Sequence, residues 1–224
     1  MSTPISLIAL LLTRLVSATD MPITVSQVVT GSPSHVRLTN TSPQAITAWS
    51  LATIAVSGDR THREVYTSDG YLSEVTHGLA GASTKLERLM PGESRELPLD
   101  ALPEGATVEV IAVVLDDGTA IGAEPAIASI FATRVKERDA LRAVVDAFND
   151  VLPTMRGAAA LDALKERLTV LAQRDQSIPC RAALDAVQTY ARKTNPDEID
   201  QSLRTYADFV KLQYEVAAKH AQRR

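Results

Sequence analysis

Aromatic residues are scarce: one tryptophan, three phenylalanines and five tyrosines, 4% of a 224-residue chain. Hydrophobic residues nevertheless make up 45%, enough to bury a sizeable aliphatic core, which excludes global disorder. Cysteine is scarcer still. Cys180 is the only one, so no disulfide can form within the chain, and its redox compartment is left open. It opens a helical stretch, a position that can lower a thiol pKa, but no histidine adjoins it in sequence and it reads as a small packing residue. Positive charge is not in excess: residues 1–123 hold 7 Lys+Arg against 13 Asp+Glu, and residues 124–224 hold 16 against 14. Neither half has the basic footprint of a nucleic-acid binder. The basic end His220-Ala221-Gln222-Arg223-Arg224 fits a solvated helix terminus, where cations suit the helix dipole.

Catalytic motifs are missing too. There is no G-x-S-x-G, no H-E-x-x-H, no P-loop and no dinucleotide fingerprint. The expectation is a protein that is not an enzyme, with no cofactor and no metal. A span of membrane is also unexpected. The apolar run I-S-L-I-A-L-L-L at 5–12 falls short of the roughly 20 residues a bilayer requires. Its length suits a signal-peptide core, and Val16-Ser17-Ala18 suits a cleavage site before Thr19. Against this, no Lys or Arg precedes the run, and Arg14 interrupts the apolar stretch. The expectation is a signal peptide at 1–18 and a periplasmic or secreted protein; the alternative is a cytoplasmic protein starting at Met21.

The residues that are present fall into two patterns. From 19 to 123, short runs rich in β-branched residues alternate with turn signals. Strands are expected at 23–29, 36–39, 45–56, 94–99 and 107–115. In the third, Ile46, Ala48 and Ser50 should share one face, with Trp49, Leu51 and Thr53 on the other. In the last, Val108, Val110, Ala112 and Val114 should alternate with Thr107, Glu109, Ile111, Val113 and Leu115. Asp116-Asp117-Gly118 then reads as a hairpin corner, because Asp-Gly tolerates the tight turn, and it lacks the ligand spacing of a calcium loop. Asn40-Thr41-Ser42 matches a glycosylation sequon but reads as a polar corner closed by Pro43.

The segments V-R-L-T-N-T-S-P-Q-A-I-T-A-W-S-L (36–51), M-P-G-E-S (90–94) and V-V-L-D-D-G-T-A-I-G (113–122) resemble a pattern in uncharacterised exported bacterial proteins. The shared features are an N-T-S corner, a P-G-E-S turn and a D-G-T-x-x-G hairpin. The resemblance covers about residues 23–122 and implies an immunoglobulin-like β-sandwich in the cell envelope. It implies no catalytic residues.

Residues 57–90 have the weakest strand pattern and read as a long loop. It carries Asp59, His62, Glu64, Asp69, Glu74 and His77, interspersed with glycines. His62, Glu64, Asp69 and His77 are the candidates there for contact with a ligand, a transition metal or a partner, although no compact H-x-x-x-H spacing is present.

At about Ala123 the period changes from two to 3.6. Helices are expected at 124–152, stopped by Pro153, at 158–174, at 180–193, and from Pro196 onward with Asn195 as N-cap and Glu198 three residues later. The fold class is therefore α+β in two parts: an antiparallel immunoglobulin-like β-sandwich at 19–123, then an α-helical hairpin or bundle of about four helices at 124–224. Phe131, Val135, Leu141, Val145 and Phe148 form a stripe on the first helix that either packs within the bundle or docks a protein partner or a second copy. The leading functional expectation is a non-catalytic interaction or scaffold protein of the bacterial cell envelope. The alternatives are a small-ligand or metal-binding module using loop 57–90, and a cytosolic regulatory protein starting at Met21.

Overall fold

The computed structural model describes residues 21–29, 34–57, 59–73, 75, 87–99, 102 and 105–224. The expected leader at 1–18, Glu74 and His77 lie outside the described residues. Seven strands come first among the described residues: β1 (Ile23–Val29), β2 (Ser34–Asn40), β3 (Ile46–Ser57), β4 (Arg60–Asp69), β5 (Ser94–Leu99), β6 (Thr107–Leu115) and β7 (Ala120–Gly122). Four helices come after them: α1 (Glu124–Val151), α2 (Gly157–Arg174), α3 (Ile178–Tyr190) and α4 (Pro196–His220). All strand pairs are antiparallel, in two sheets ordered β1-β2-β5 and β4-β3-β6-β7. The layout is α+β.

Part of one expected loop is a strand. β4 occupies ten residues of the segment 57–90 and pairs with β3 in unbroken register from Ala48↔Asp69 to Ser57↔Arg60. Among the described residues it ends its sheet, and residues 60–67 are exposed on both faces. A strand buried on neither face has no apolar alternation to read, so the period-2 signal fails where pairing succeeds.

The expected face assignments of β3 and β6 are also corrected. Ile46 pairs with Leu115 but Ala48 with Val114, so Thr47 is an extra residue on β3. Further along, Ser50 pairs with Ala112 but Leu51 with Val110, so Ile111 is extra on β6. Each bulge shifts the alternation by one residue. Ile46 therefore joins Trp49 and Leu51 on the face that meets the other sheet, packing with Val36, Leu38, Val113 and Leu115. Ala48, Ala112 and Val114 occupy the opposite face and pack on Ile127, Ile130 and Phe131 of α1. The small residues let the helix approach closely.

Two glycines are required by geometry. Gly118 adopts φ +88° in the β6–β7 corner, where the Leu115 N–H bonds the Thr119 carbonyl at 2.9 Å and Asp117 Oδ1 accepts from the Thr119 N–H at 2.9 Å. That turn bonding, above all, holds the Asp117 carboxyl below its usual range. Gly122 has φ +127°, and a Cβ there would lie 2.3 Å from the Ile111 carbonyl oxygen. The Ala123 N–H bonds that same oxygen at 2.7 Å, so the bulge on β6 receives the chain as it leaves the sheet for α1.

The helices bury a third cluster, in which Val144 and Phe148 of α1 meet Leu164 and Leu168 of α2, Val187 of α3 and Leu203 of α4. Each such fully buried side chain contributes about 1.5–3 kcal/mol. Asn195 caps α4, its side chain accepting from the Asp197 N–H at 3.0 Å. Cys180 is buried in this cluster, and burial pushes its thiol up, away from reactivity. Asn40 is buried at the expected corner: its amide nitrogen donates to the Gln44 and Leu89 carbonyls at 2.8 and 2.9 Å, and its oxygen accepts from the Ser42 N–H at 2.8 Å. No helix among the described residues is long and apolar enough to cross a membrane.

Candidate functional site

The densest polar arrangement lies where sheet and helices meet. Arg134 sits one turn beyond Ile130 and Phe131 on the buried side of α1 and is completely inaccessible to solvent. Its Nε and Nη2 each donate to Asp69 at the end of β4, both at 2.8 Å, a bidentate fork. Nη2 also donates to Thr47 Oγ1 at 3.0 Å, and Nη1 to the His220 carbonyl at the end of α4 at 3.2 Å. Thr47 is the bulged residue of β3. Its hydroxyl passes the chain on by donating to the Val114 carbonyl at 3.2 Å.

Two rings flank the guanidinium, Tyr71 at 4.9 Å and Phe131 at 5.4 Å to their centroids, a favourable setting for a desolvated cation. The Tyr71 hydroxyl donates to Glu137 at 2.6 Å. Tyr71 also contacts the His220 ring at 5.8 Å between centroids. On the far side of His220, Arg88 donates to Asp116 at 2.8 Å, and the His220 Nε2 stands 4.0 Å from the same carboxylate. Burial raises the pKa of Asp69 against the pull of Arg134, and burial raises that of Glu137 against its bond from Tyr71. His220 is pushed down to about 4 by burial and then by Arg134, so it is neutral at pH 7. A cleft of about 400 Å³ opens beside the network, walled by Tyr71, Glu137, Ile178, Tyr206 and Phe209. Arg134 and Asp69 satisfy each other, and the bonds made by Arg134 tie α1, β3, the end of β4 and the end of α4 together.

A second locus lies at the open edge of the two sheets. His62 and Glu64 alternate on one face of β4 and meet at 3.0 Å, both largely exposed. They border a cleft of about 540 Å³ whose other walls include Thr53, Ala55, Tyr66, Leu99 and Leu102.

The four loop candidates thus separate. The structure brings His62 and Glu64 together. Asp69 lies seven residues along the strand, about 23 Å away at the strand rise, and belongs to the Arg134 network. His77 lies outside the described residues. No group of three or more His, Cys, Asp or Glu side chains among the described residues is arranged to hold a metal ion. The helix stripe is taken up within the chain itself: Phe131 packs on the sheet, Leu141 and Phe148 lie in the helical core, Val145 packs against that core, and Val135 is half-buried.

Comparison with known protein families, curated proteins and solved structures finds no match to this chain.

Proposed function

We propose that this chain is a non-catalytic interaction protein of the bacterial cell envelope, built on an immunoglobulin-like sandwich. Strand order supports the fold reading. Lettering the strands A, B, C, C′, E, F and G in chain order gives A-B-E in one sheet and C′-C-F-G in the other. That order agrees with the immunoglobulin arrangement with the fourth strand at the C edge, and a buried tryptophan, Trp49, on strand C supports the same reading. The envelope location draws on the leader-like residues 1–18. A protein recovered from the envelope fraction and beginning at or near Thr19 is the expected outcome; one beginning at Met1 or Met21 in the cytosol would overturn the location.

The observation that carries the interaction reading is the exposure of β4. Val65 and Tyr66 on that edge strand are 53% and 50% exposed, while the amphipathic stripe of α1 is already covered. The contact surface is therefore the sandwich edge. A photoreactive amino acid placed at Val65 should yield adducts in the producing cell, and one placed at Val170, an exposed residue of α2, should not. Absence of adducts at Val65 would remove this reading.

A second reading, a small-ligand module, draws on the cleft beside His62 and Glu64. Nile red, a neutral apolar probe, should bind there and lose affinity on Leu99→Arg; binding unaffected by that change counts against it.

A further inference from the structure

We propose that the partner at β4 is a second copy of this chain, the two β4 strands pairing antiparallel about a two-fold axis at Val65 to make one continuous eight-stranded sheet. The inference rests on the reading of β4 as the contact surface and names its occupant.

The other sheet edges carry features that discourage pairing. β7 is only three residues long and runs into α1. β5 contains Pro98, which has no N–H to donate. β1 has a register irregularity between Ser26 and Val29. β4 has none of these: it is ten residues long, regular and free of proline.

The sequence of β4 selects the copy. About a two-fold axis perpendicular to the sheet, directly opposed residues lie on the same face, so the axis must pass through a residue pairing with its own copy. An axis at Arg63 opposes two arginines, and one at Glu64 opposes two glutamates, both unfavourable. An axis at His62 leaves only residues 60–64 overlapping. At Val65 the overlap runs from Thr61 to Asp69. Val65 then meets Val65, Glu64 meets Tyr66, Arg63 meets Thr67 and His62 meets Ser68. No like charges are opposed, and the two most exposed apolar side chains of the strand face partners. An axis at Tyr66 also avoids like charges but shortens the overlap to 63–69.

The test uses the full chain. Val65→Cys places two thiols across the axis, and the native Cys180 is buried and does not compete. Under mild oxidation Val65→Cys should form a reducible dimer roughly tenfold faster than Thr61→Cys or Thr67→Cys, since only directly opposed β-carbons come within bonding reach. Wild-type protein should sediment as a dimer at tens of micromolar. Val65→Lys should sediment as a monomer with an unchanged circular dichroism spectrum. A wild-type monomer at every concentration, or crosslinking that peaks elsewhere on the strand, overturns the proposal. Photo-adducts at Val65 that contain only a different protein overturn it too, while leaving the interaction reading standing.

Discussion

Arg134 grips Asp69 through two hydrogen bonds of equal length, 2.8 Å, across 65 positions of sequence. The pair fastens the first helix to the end of the edge strand. A guanidinium with no solvent access is tolerated because the fork, Thr47 and the His220 carbonyl between them replace the water it has lost.

Breaking this pair from one side is expected to cost far more than removing it whole. Arg134→Met leaves the Asp69 carboxylate uncompensated and should lower unfolding free energy by about 3–5 kcal/mol, read by urea denaturation. Arg134→Met with Asp69→Leu should regain much of that loss. Equal destabilisation in the single and double variants would show that the ion pair is not what matters at this joint.

Acid should loosen the same joint through His220. Its folded pKa, about 4, lies below the ordinary value of 6.5, so the unfolded chain binds the proton more readily between those limits. Stability is full above about pH 6.5 and falls as pH drops toward 4, by on the order of 2 kcal/mol. The charged groups facing the ring are Arg134, Lys219 and Arg88, which oppose its protonation, and Asp116, which favours it. Asp69 and Glu137 act with the opposite sign: their raised pKa values favour the folded state as pH falls through the carboxylate range. Subtracting the pH-stability curve of His220→Gln isolates the histidine contribution. A His220→Gln protein with the wild-type slope from pH 6.5 to 4 would contradict it.

Gly122→Ala should destabilise by about 2 kcal/mol or more, because a β-carbon adds strain at positive φ and also collides with the Ile111 carbonyl. Thermal unfolding reads the loss. The same change at Gly92, where φ is +72° but nothing lies within 4 Å, should cost less, since only the backbone strain remains.

Asn40 should stay unmodified in a glycosylating host, since its side-chain nitrogen is buried and donates twice. Asn40→Ala leaves the Leu89 carbonyl its bond from the Ile46 N–H but removes the bonds to the Gln44 carbonyl and the Ser42 N–H, and should cost about 1–3 kcal/mol. Intact mass settles the first point and denaturant titration the second.

Elements whose signals are local were legible in the sequence: the alternating strands, the Asp-Gly hairpin, the Asn195 cap and the helical stripe that ends near Pro153. The features that escaped depend on distant partners. β4 is set by pairing to β3 rather than by its own pattern. The bulges at Thr47 and Ile111 leave no mark on composition, yet they decide which side chains enter which core. Of the residues now grouped in space, His62, Glu64 and Asp69 were named from residue type alone on a segment read as a loop, and the Arg134 side of the joint was not. One clue existed: Ile127, Ile130, Phe131 and Arg134 keep 3-1-3 spacing, which puts an arginine on the buried side of a helix and demands an acid to meet it.

The joint has an order in time. A ribosome makes Thr47 and Asp69 early, Arg134 later, and the His220 carbonyl last. Until the first helix emerges, Asp69 has no cation, and the strand that ends in it is held only from the β3 side. The two sheets can collapse on their shared apolar core during that interval, but the joint at their margin closes only when α4 arrives.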